Sequence, residues 1–77
     1  MNKVRRKSIE KLLESVAVLH DQIDRVLTEE QESFDNLPEG IQYSERGDAM
    51  QEAIDALESA LSSCEEIDEY LTDAMEH

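Results

Sequence analysis

Several residue types that shape small folds are almost missing from this chain. Cys64 is the one cysteine, so no disulfide can form within a chain and no zinc-binding cysteine pattern exists. There are one proline, two glycines, three aromatic residues and no tryptophan. The longest apolar stretch, residues 16–19, is too short for a membrane span or the core of a signal peptide. A disulfide scaffold and a membrane protein are therefore excluded, and the lone cysteine favours a cytoplasmic location.

Negative charge, by contrast, is abundant. The 77 residues include twenty Asp or Glu and seven Lys or Arg, which gives a net charge of −13. Such a balance permits disorder, but 39% of the residues are hydrophobic and they recur at regular spacing. The composition is that of a helical or coiled-coil protein. The length allows one domain, residues 1–77, near the size at which a single core is marginal without a partner.

The apolar residues follow a heptad repeat, whose positions we letter a to g. Positions a and d are apolar from Ile9 to Val26, and again from Met50 to Ala74. Further apolar residues at e make the stripe wider than a two-stranded coiled coil needs. The predicted core and dimer seam consists of Ile9, Leu12, Leu13, Val16, Leu19, Ile23, Val26, Leu27, Met50, Ile54, Leu57, Leu61, Cys64, Ile67 and Leu71.

The proline and both glycines separate the two heptad segments. We predict a helix over about 3–33, a turn over 34–44 and a helix over about 45–75. Asn36 is expected to cap a short helical turn with Pro38 just inside it, and Ser44 to cap the second helix. Helices of equal length with a short connection predict an all-α antiparallel hairpin. Because two helices cannot cover so wide a stripe, we expect two hairpins to form a homodimeric four-helix bundle or coiled coil.

Five of the seven basic residues gather at the start of the chain, and the end is acidic. Cations at a helix N-terminus and anions at a C-terminus each cost about 0.3–1 kcal/mol, which is offset when the two ends meet. In a hairpin whose facing residue numbers sum to about 77, they do meet, as an internal charge clasp. The clasp would comprise Arg5, Arg6, Lys7, Lys11, Glu65, Glu66, Asp68, Glu69 and Asp73. The alternative, a basic arm for nucleic acid, is disfavoured by the acidic flank beside it.

No catalytic, cofactor or complete metal-binding pattern is present, so the prediction is a non-enzymatic protein with no cofactor and no metal. His20 and Asp24 have a spacing that suits a metal ion, but a third ligand is missing, so His20 is interpreted as an interface residue. Cys64, at an a position, is interpreted as a core residue. Phe34 and Tyr43 flank the turn, where they either close that end of the bundle or anchor a partner protein.

The second helix carries eleven acidic residues and one base. Such a surface commonly serves only to solvate a helix. A dimer would nevertheless carry about −26, twice the charge of one chain, and would attract a partner with a basic surface. Carboxylates spaced along a rigid helix, as at Asp55, Glu58 and Glu66, also offer an imitation of DNA phosphates. Two interpretations therefore stay open: a bundle that binds another protein, and an acidic DNA mimic.

Three segments, "NKVRRKSIEKL", "DNLPEGIQYSERG" and "AIDALESALSSCEEID", together resemble small acidic helical proteins encoded by phages and prophages of Gram-positive bacteria. The resemblance spans nearly the whole chain, and the central turn is its most specific part. It implies a short accessory protein in the bacterial cytoplasm, in a setting where inhibitors of host defence and adaptors of host machinery are common. That group has no assigned activity, so the resemblance gives no residue a role.

Overall fold

Three helices make up almost the whole of the computed structural model, which describes residues 1–77. Helix α1 spans Lys3–Asp35, the short α2 spans Glu39–Gln42, and α3 spans Glu45–Met75. There is no strand. The long helices α1 and α3 pack against each other, and the molecule measures 58 × 15 × 12 Å. The all-α prediction and the pair of long helices are thus confirmed. Neither long helix contains an apolar stretch sufficient to cross a bilayer.

Helix α1 begins at a side-chain cap that the sequence reasoning missed. Asn2 has an extended backbone, and its side-chain Oδ1 accepts a hydrogen bond of 2.8 Å from the backbone N–H of Arg5. This bond satisfies one of the four N–H groups that have no partner within a helix. It matters here because the first turn contains no acidic residue to complement the helix dipole.

Replacing Asn2 by alanine should lower the free energy of unfolding by about 1 kcal/mol, because the Arg5 N–H loses its partner. Asn2→Asp is the matched control, since aspartate caps equally well and adds favourable charge at the N-terminus. Urea denaturation followed by circular dichroism measures both. Equal stability of the alanine and aspartate variants would show that the cap is without effect.

The turn differs from the prediction in its capping. Asn36 is the C-cap of α1, where its N–H donates to the Glu32 carbonyl, and it does not cap the short helix. Pro38 occupies the N-cap position of α2 rather than its first turn, and it has no side-chain cap bond. Ser44 does occupy the N-cap position of α3, but its hydroxyl donates to the Ile41 carbonyl. The sequence thus predicted where the helices are interrupted, but it did not predict the hydrogen bonds made by the capping residues.

Within the hairpin, the residues at heptad positions a and e of each long helix, which we call the a and e rows, face the other long helix. Ile9 and Cys64 at a, and Ile54 at e, are the buried apolar residues, and Ile54 has no exposed surface. The d row of α1 is different. Its members Leu12, Leu19 and Val26 are 51%, 45% and 50% exposed. The contact inside one chain therefore uses the a and e residues of the predicted core and dimer seam, and the d residues of α1 in that seam are exposed in the single hairpin.

Gly47 lies inside α3 and is buried against the turn. A Cβ atom at this position would lie 2.0 Å from the Gln42 carbonyl oxygen and 2.7 Å from that of Ile41. Both are backbone atoms, so they cannot swing aside as a flexible side chain does. Gly47 thus lets α2 and the following turn pack directly on the first turn of α3.

Candidate protein-interaction surfaces

His20 contacts a single acidic side chain across the hairpin. Its Nε2 lies 3.6 Å from Oε1 of Glu65, and the two side chains are 35% and 70% exposed. No three His, Cys, Asp or Glu side chains are grouped closely enough to hold a metal ion together. Asp24, at i+4, does not join His20 in such a group. His20 is therefore a half-buried residue of the interface between α1 and α3.

A shallow open groove of about 490 Å³ runs beside this pair. Its walls come from both long helices: Val16, Ala17, His20, Asp21, Cys64, Glu65, Asp68 and Glu69. Cys64 is 4% exposed and free of any disulfide. The groove is lined mainly by carboxylates and small apolar groups, with no nucleophile paired to a base.

The charge clasp does not form as ion pairs. His20 and Glu65 make the one pair within 4.0 Å, so no Lys or Arg of the clasp reaches a carboxylate. Its four bases and five acids are all exposed: Arg5, Arg6, Lys7, Lys11, Glu65, Glu66, Asp68, Glu69 and Asp73. The two chain ends do meet, because the Met1 amino group donates to the His77 carbonyl over 2.6 Å.

Register and helix face explain the absence of these ion pairs. His20 lies beside Glu65, and the groove brings residues 16–21 of α1 beside residues 64–69 of α3, so the numbers of facing residues sum to about 85 rather than 77. The residue that faces each position of α1 therefore lies about eight positions further along α3 than predicted, and the basic start of α1 lies at the very end of α3 or beyond it. Face matters too, because Lys11 and Glu66 both occupy position c, on the sides of the two helices that point away from each other.

Heptad letters also define two flanks of the hairpin. With 100° between successive residues, positions b and f lie on the e side of a helix, and d and g lie on the other side. Because α1 and α3 run antiparallel, residues with the same heptad letter on the two helices lie on the same flank of the hairpin. The contacts agree with this assignment: His20 at e lies beside Glu65 at b, and the groove is lined by a, b, e and f residues of both helices, with none from d or g. The d and g rows of both helices therefore share the opposite flank.

The b/f flank forms an acidic face. We define this face by six exposed carboxylates at b and f positions, two on α1 and four on α3: Asp21, Asp24, Asp55, Glu58, Glu65 and Glu69. Apart from Glu65, which lies beside His20, none lies within 4.0 Å of a Lys, Arg or His side-chain nitrogen. Asp55 and Glu58 of the predicted mimic residues belong here, but Glu66, at c, lies on the outer side of α3 and does not.

The d/g flank forms an uncharged face. We define it by its d residues Leu12, Leu19, Val26, Ala53, Ala60 and Ile67. The neighbouring g positions hold serine, glutamine, alanine and tyrosine, so no charged side chain falls on this flank from Ser8 to Val26 or from Ala49 to Ala74. Ile67 is 44% exposed, close to the values for the d row of α1. Apolar and acidic surface thus lie on opposite sides of one thin molecule.

The two aromatic residues beside the turn have different surroundings. Phe34 is half-buried, and its carbonyl oxygen accepts a 3.1 Å hydrogen bond from Nε2 of Gln42. The same Gln42 nitrogen donates to the Leu37 carbonyl over 3.3 Å, so one side chain joins the end of α1 to α2. Tyr43 is 80% exposed. The backbone of Phe34 therefore takes part in the hydrogen bonds of the turn, whereas the Tyr43 side chain is largely exposed to solvent. The heptad spacing of the sequence did not indicate this role of Gln42 in the turn.

Comparison of the chain with protein-family models, with curated proteins and with solved structures found no match in any of the three.

Proposed function

We propose that this protein is a non-enzymatic interaction protein, which assembles as a homodimeric four-helix bundle and binds another protein that has a basic surface. One observation carries the proposal: apolar surface and unpaired carboxylates occupy opposite flanks of the hairpin. The apolar flank favours assembly, because each large apolar side chain moved out of water contributes roughly 1.5–3 kcal/mol. Assembly through that flank would leave an acidic face on each outer side of the dimer.

The acidic faces suit a cationic partner because their charge is not neutralised within the chain. Of the twenty Asp and Glu side chains, Glu65 alone lies within 4.0 Å of a basic side chain, and that side chain is a histidine. Such a field raises the rate of association with basic surfaces and suppresses binding to nucleic acid. The resemblance to small acidic phage and prophage proteins supports an accessory role in a bacterial cell.

A DNA mimic is the second candidate, and the linear density of charge favours it. A dimer with a net charge of about −26 along a 58 Å body has roughly one negative charge per 2.2 Å of length. Duplex DNA has about one per 1.7 Å. A rod of this density would occupy a nucleic-acid groove in a host defence or DNA-processing protein.

Charge reversal on one face tests the proposal. The chain is immobilised, partners are captured from a bacterial lysate and identified by mass spectrometry, and the purified partner is then titrated by calorimetry. The triple variant Asp55→Lys, Glu58→Lys and Glu69→Lys should weaken binding at least about tenfold, and more at low salt. The control reverses three carboxylates on the outer c row of the same helix, Glu52→Lys, Glu66→Lys and Asp73→Lys, and should change affinity less than about threefold.

The two candidate functions differ in their response to DNA. A mimic competes with duplex DNA for the captured partner, whereas an adaptor binds while DNA is still attached. An adaptor that uses the turn should instead lose affinity on Tyr43→Ala, since exposed aromatic residues are frequent binding hot spots. Equal affinity of the acidic-face and outer-row triples would contradict binding through the acidic face.

A further inference from the structure

We infer that the uncharged face is the surface through which two copies of this chain associate. The interface would contain Leu12, Leu19 and Val26 of α1 together with Ile67 of α3. This inference rests on the proposed homodimer and specifies which surface forms it. A two-fold dimer of this kind is isologous, so each residue of the face is buried twice.

Charge selects this face for self-association. Every copy carries −13, so any contact between two acidic faces would bring unpaired carboxylates together. The d/g flank is free of charged side chains from Ser8 to Val26 on α1 and from Ala49 to Ala74 on α3. Two copies can therefore meet along this flank with no like charges opposed at its centre, while their acidic faces point in opposite directions.

The area of the flank is sufficient for a stable dimer. The whole flank, 58 × 15 Å, covers roughly 870 Å² in projection, and a stable specific interface buries about 800 Å² on each partner. A dimer would therefore bury the uncharged face together with the ends of the flank, where Arg5, Glu29 and Arg46 occupy d or g positions. A single chain buries little apolar surface, since only three apolar residues form its buried core. A second copy would supply the additional burial that a two-helix molecule lacks.

Side-chain size also suits a second hairpin. The d row of α1 presents large residues such as Leu19, whereas that of α3 presents Ala53 and Ala60 beside Ile67. Small residues let a facing helix approach closely, and large residues opposite them fill the space between the helices. This is the packing found in four-helix bundles, where each helix contacts two neighbours.

The chain offers a matched pair of variants on α1. Val26, in the uncharged face, and Val18, at c on the outer side of the helix, are 50% and 56% exposed in the single hairpin. Val26→Lys and Val18→Lys make the same change in charge and in helix propensity. In sedimentation equilibrium at 150 mM salt, Val26→Lys should raise the dimer dissociation constant at least about 100-fold, because the symmetric interface contains the lysine twice. Val18→Lys should change it less than about threefold.

The wild-type protein provides a second readout that does not depend on a variant folding. A soluble gadolinium chelate in the NMR sample increases the relaxation rate of exposed methyl groups. In the dimer, this increase should be at least about three times smaller for the Val26 methyl groups than for the Val18 methyl groups. In a single hairpin the two valines are nearly equally exposed, so their relaxation would be nearly equal. Equal enhancement in a sample shown to be dimeric would overturn the inference.

The outcomes separate this inference from the proposed function. If the wild-type chain sediments as a single copy at millimolar concentration, the proposed homodimer is wrong, and this inference is wrong with it. If the wild type is a dimer that survives Val26→Lys and dissociates on Val18→Lys, the dimer stands and this choice of face is wrong.

Discussion

Replacing Ile54 by alanine is expected to lower the free energy of unfolding by about 2–5 kcal/mol. Ile54 is the one large side chain with 0% exposure, at the e position where α3 packs on α1. Truncation removes buried apolar surface and leaves a cavity that two rigid helices cannot fill. Because small domains are stable by only about 5–15 kcal/mol, this single change removes a large part of the total.

Thermal unfolding followed by circular dichroism measures the effect, at one protein concentration because a dimer gains stability with concentration. For a chain of this size each kcal/mol corresponds to roughly 4–8 °C in Tm. Ile54→Val should cost only about 0.5–1.5 kcal/mol. Val18→Ala, which truncates an exposed residue of α1, should stay within about 0.5 kcal/mol of the wild type. An Ile54→Ala melting curve that coincides with that of Val18→Ala would refute this account of the core.

The boundaries of the long helices could be read from the sequence almost to the residue. Helix α3 begins and ends at the predicted positions, and α1 continues two residues further than expected, to Asp35. The reason is local. Neither helix has an internal proline, the residues between the helices include Pro38 and Gly40, and local signals of this kind need no knowledge of tertiary packing.

The face that each helix turns toward the other could not be read in the same way. Apolar residues occupy a, d and e, and the sequence does not say which two of these three rows meet inside one chain. The structure pairs a with e, and this places Ile54 and Ile9 inside and Leu19 outside. A single chain covers two rows, and the third row is exposed on α1. The prediction of a second neighbour for each helix rests on the same excess of apolar residues.

The ion pairs of the predicted charge clasp are absent for a related reason. The prediction matches most partners by their distance from the turn, and it uses the position around the helix only for Arg5, Arg6 and Asp68. Lys11 and Glu66 are close in predicted level but lie on the outer sides of their helices, and Arg5 lies at d. Exposed ion pairs contribute only about 0–1 kcal/mol, too little to rotate a helix against its apolar packing. The basic residues at the start of α1 consequently stay in water.

The pairing of a with e, the absence of the clasp's ion pairs and the exposed d row of α1 give the flanks of the hairpin different surface properties. The a and e rows hold the hairpin together, the d row is available for a second copy, and the b and f rows carry charge with no internal partner. Two of the three predicted mimic residues, Asp55 and Glu58, fall on the charged flank. In the proposed assembly, partner binding and self-association would use different surfaces of the molecule.

Gly47→Ala is expected to destabilise the protein by about 1–3 kcal/mol, although alanine is the better helix former. The added Cβ would lie 2.0 Å from the Gln42 carbonyl oxygen and 2.5 Å from its carbon. Real Cβ atoms do not approach backbone so closely, so the turn must move away from α3. Its displacement should also break the hydrogen bonds from the Gln42 amide to the Phe34 and Leu37 carbonyls.

Gly40→Ala is the matched control, because Gly40 is also helical but has nothing within 4 Å of the position its Cβ would take. Here only helix propensity changes, and the variant should gain about 0.5–1 kcal/mol. Urea unfolding should therefore separate the two alanine variants by about 1.5–4 kcal/mol. In NMR spectra the Gln42 side-chain amide should exchange faster with solvent in Gly47→Ala and stay unchanged in Gly40→Ala. If both variants were stabilised alike, the close packing of the turn on α3 would be absent in solution, because propensity alone would then decide the result.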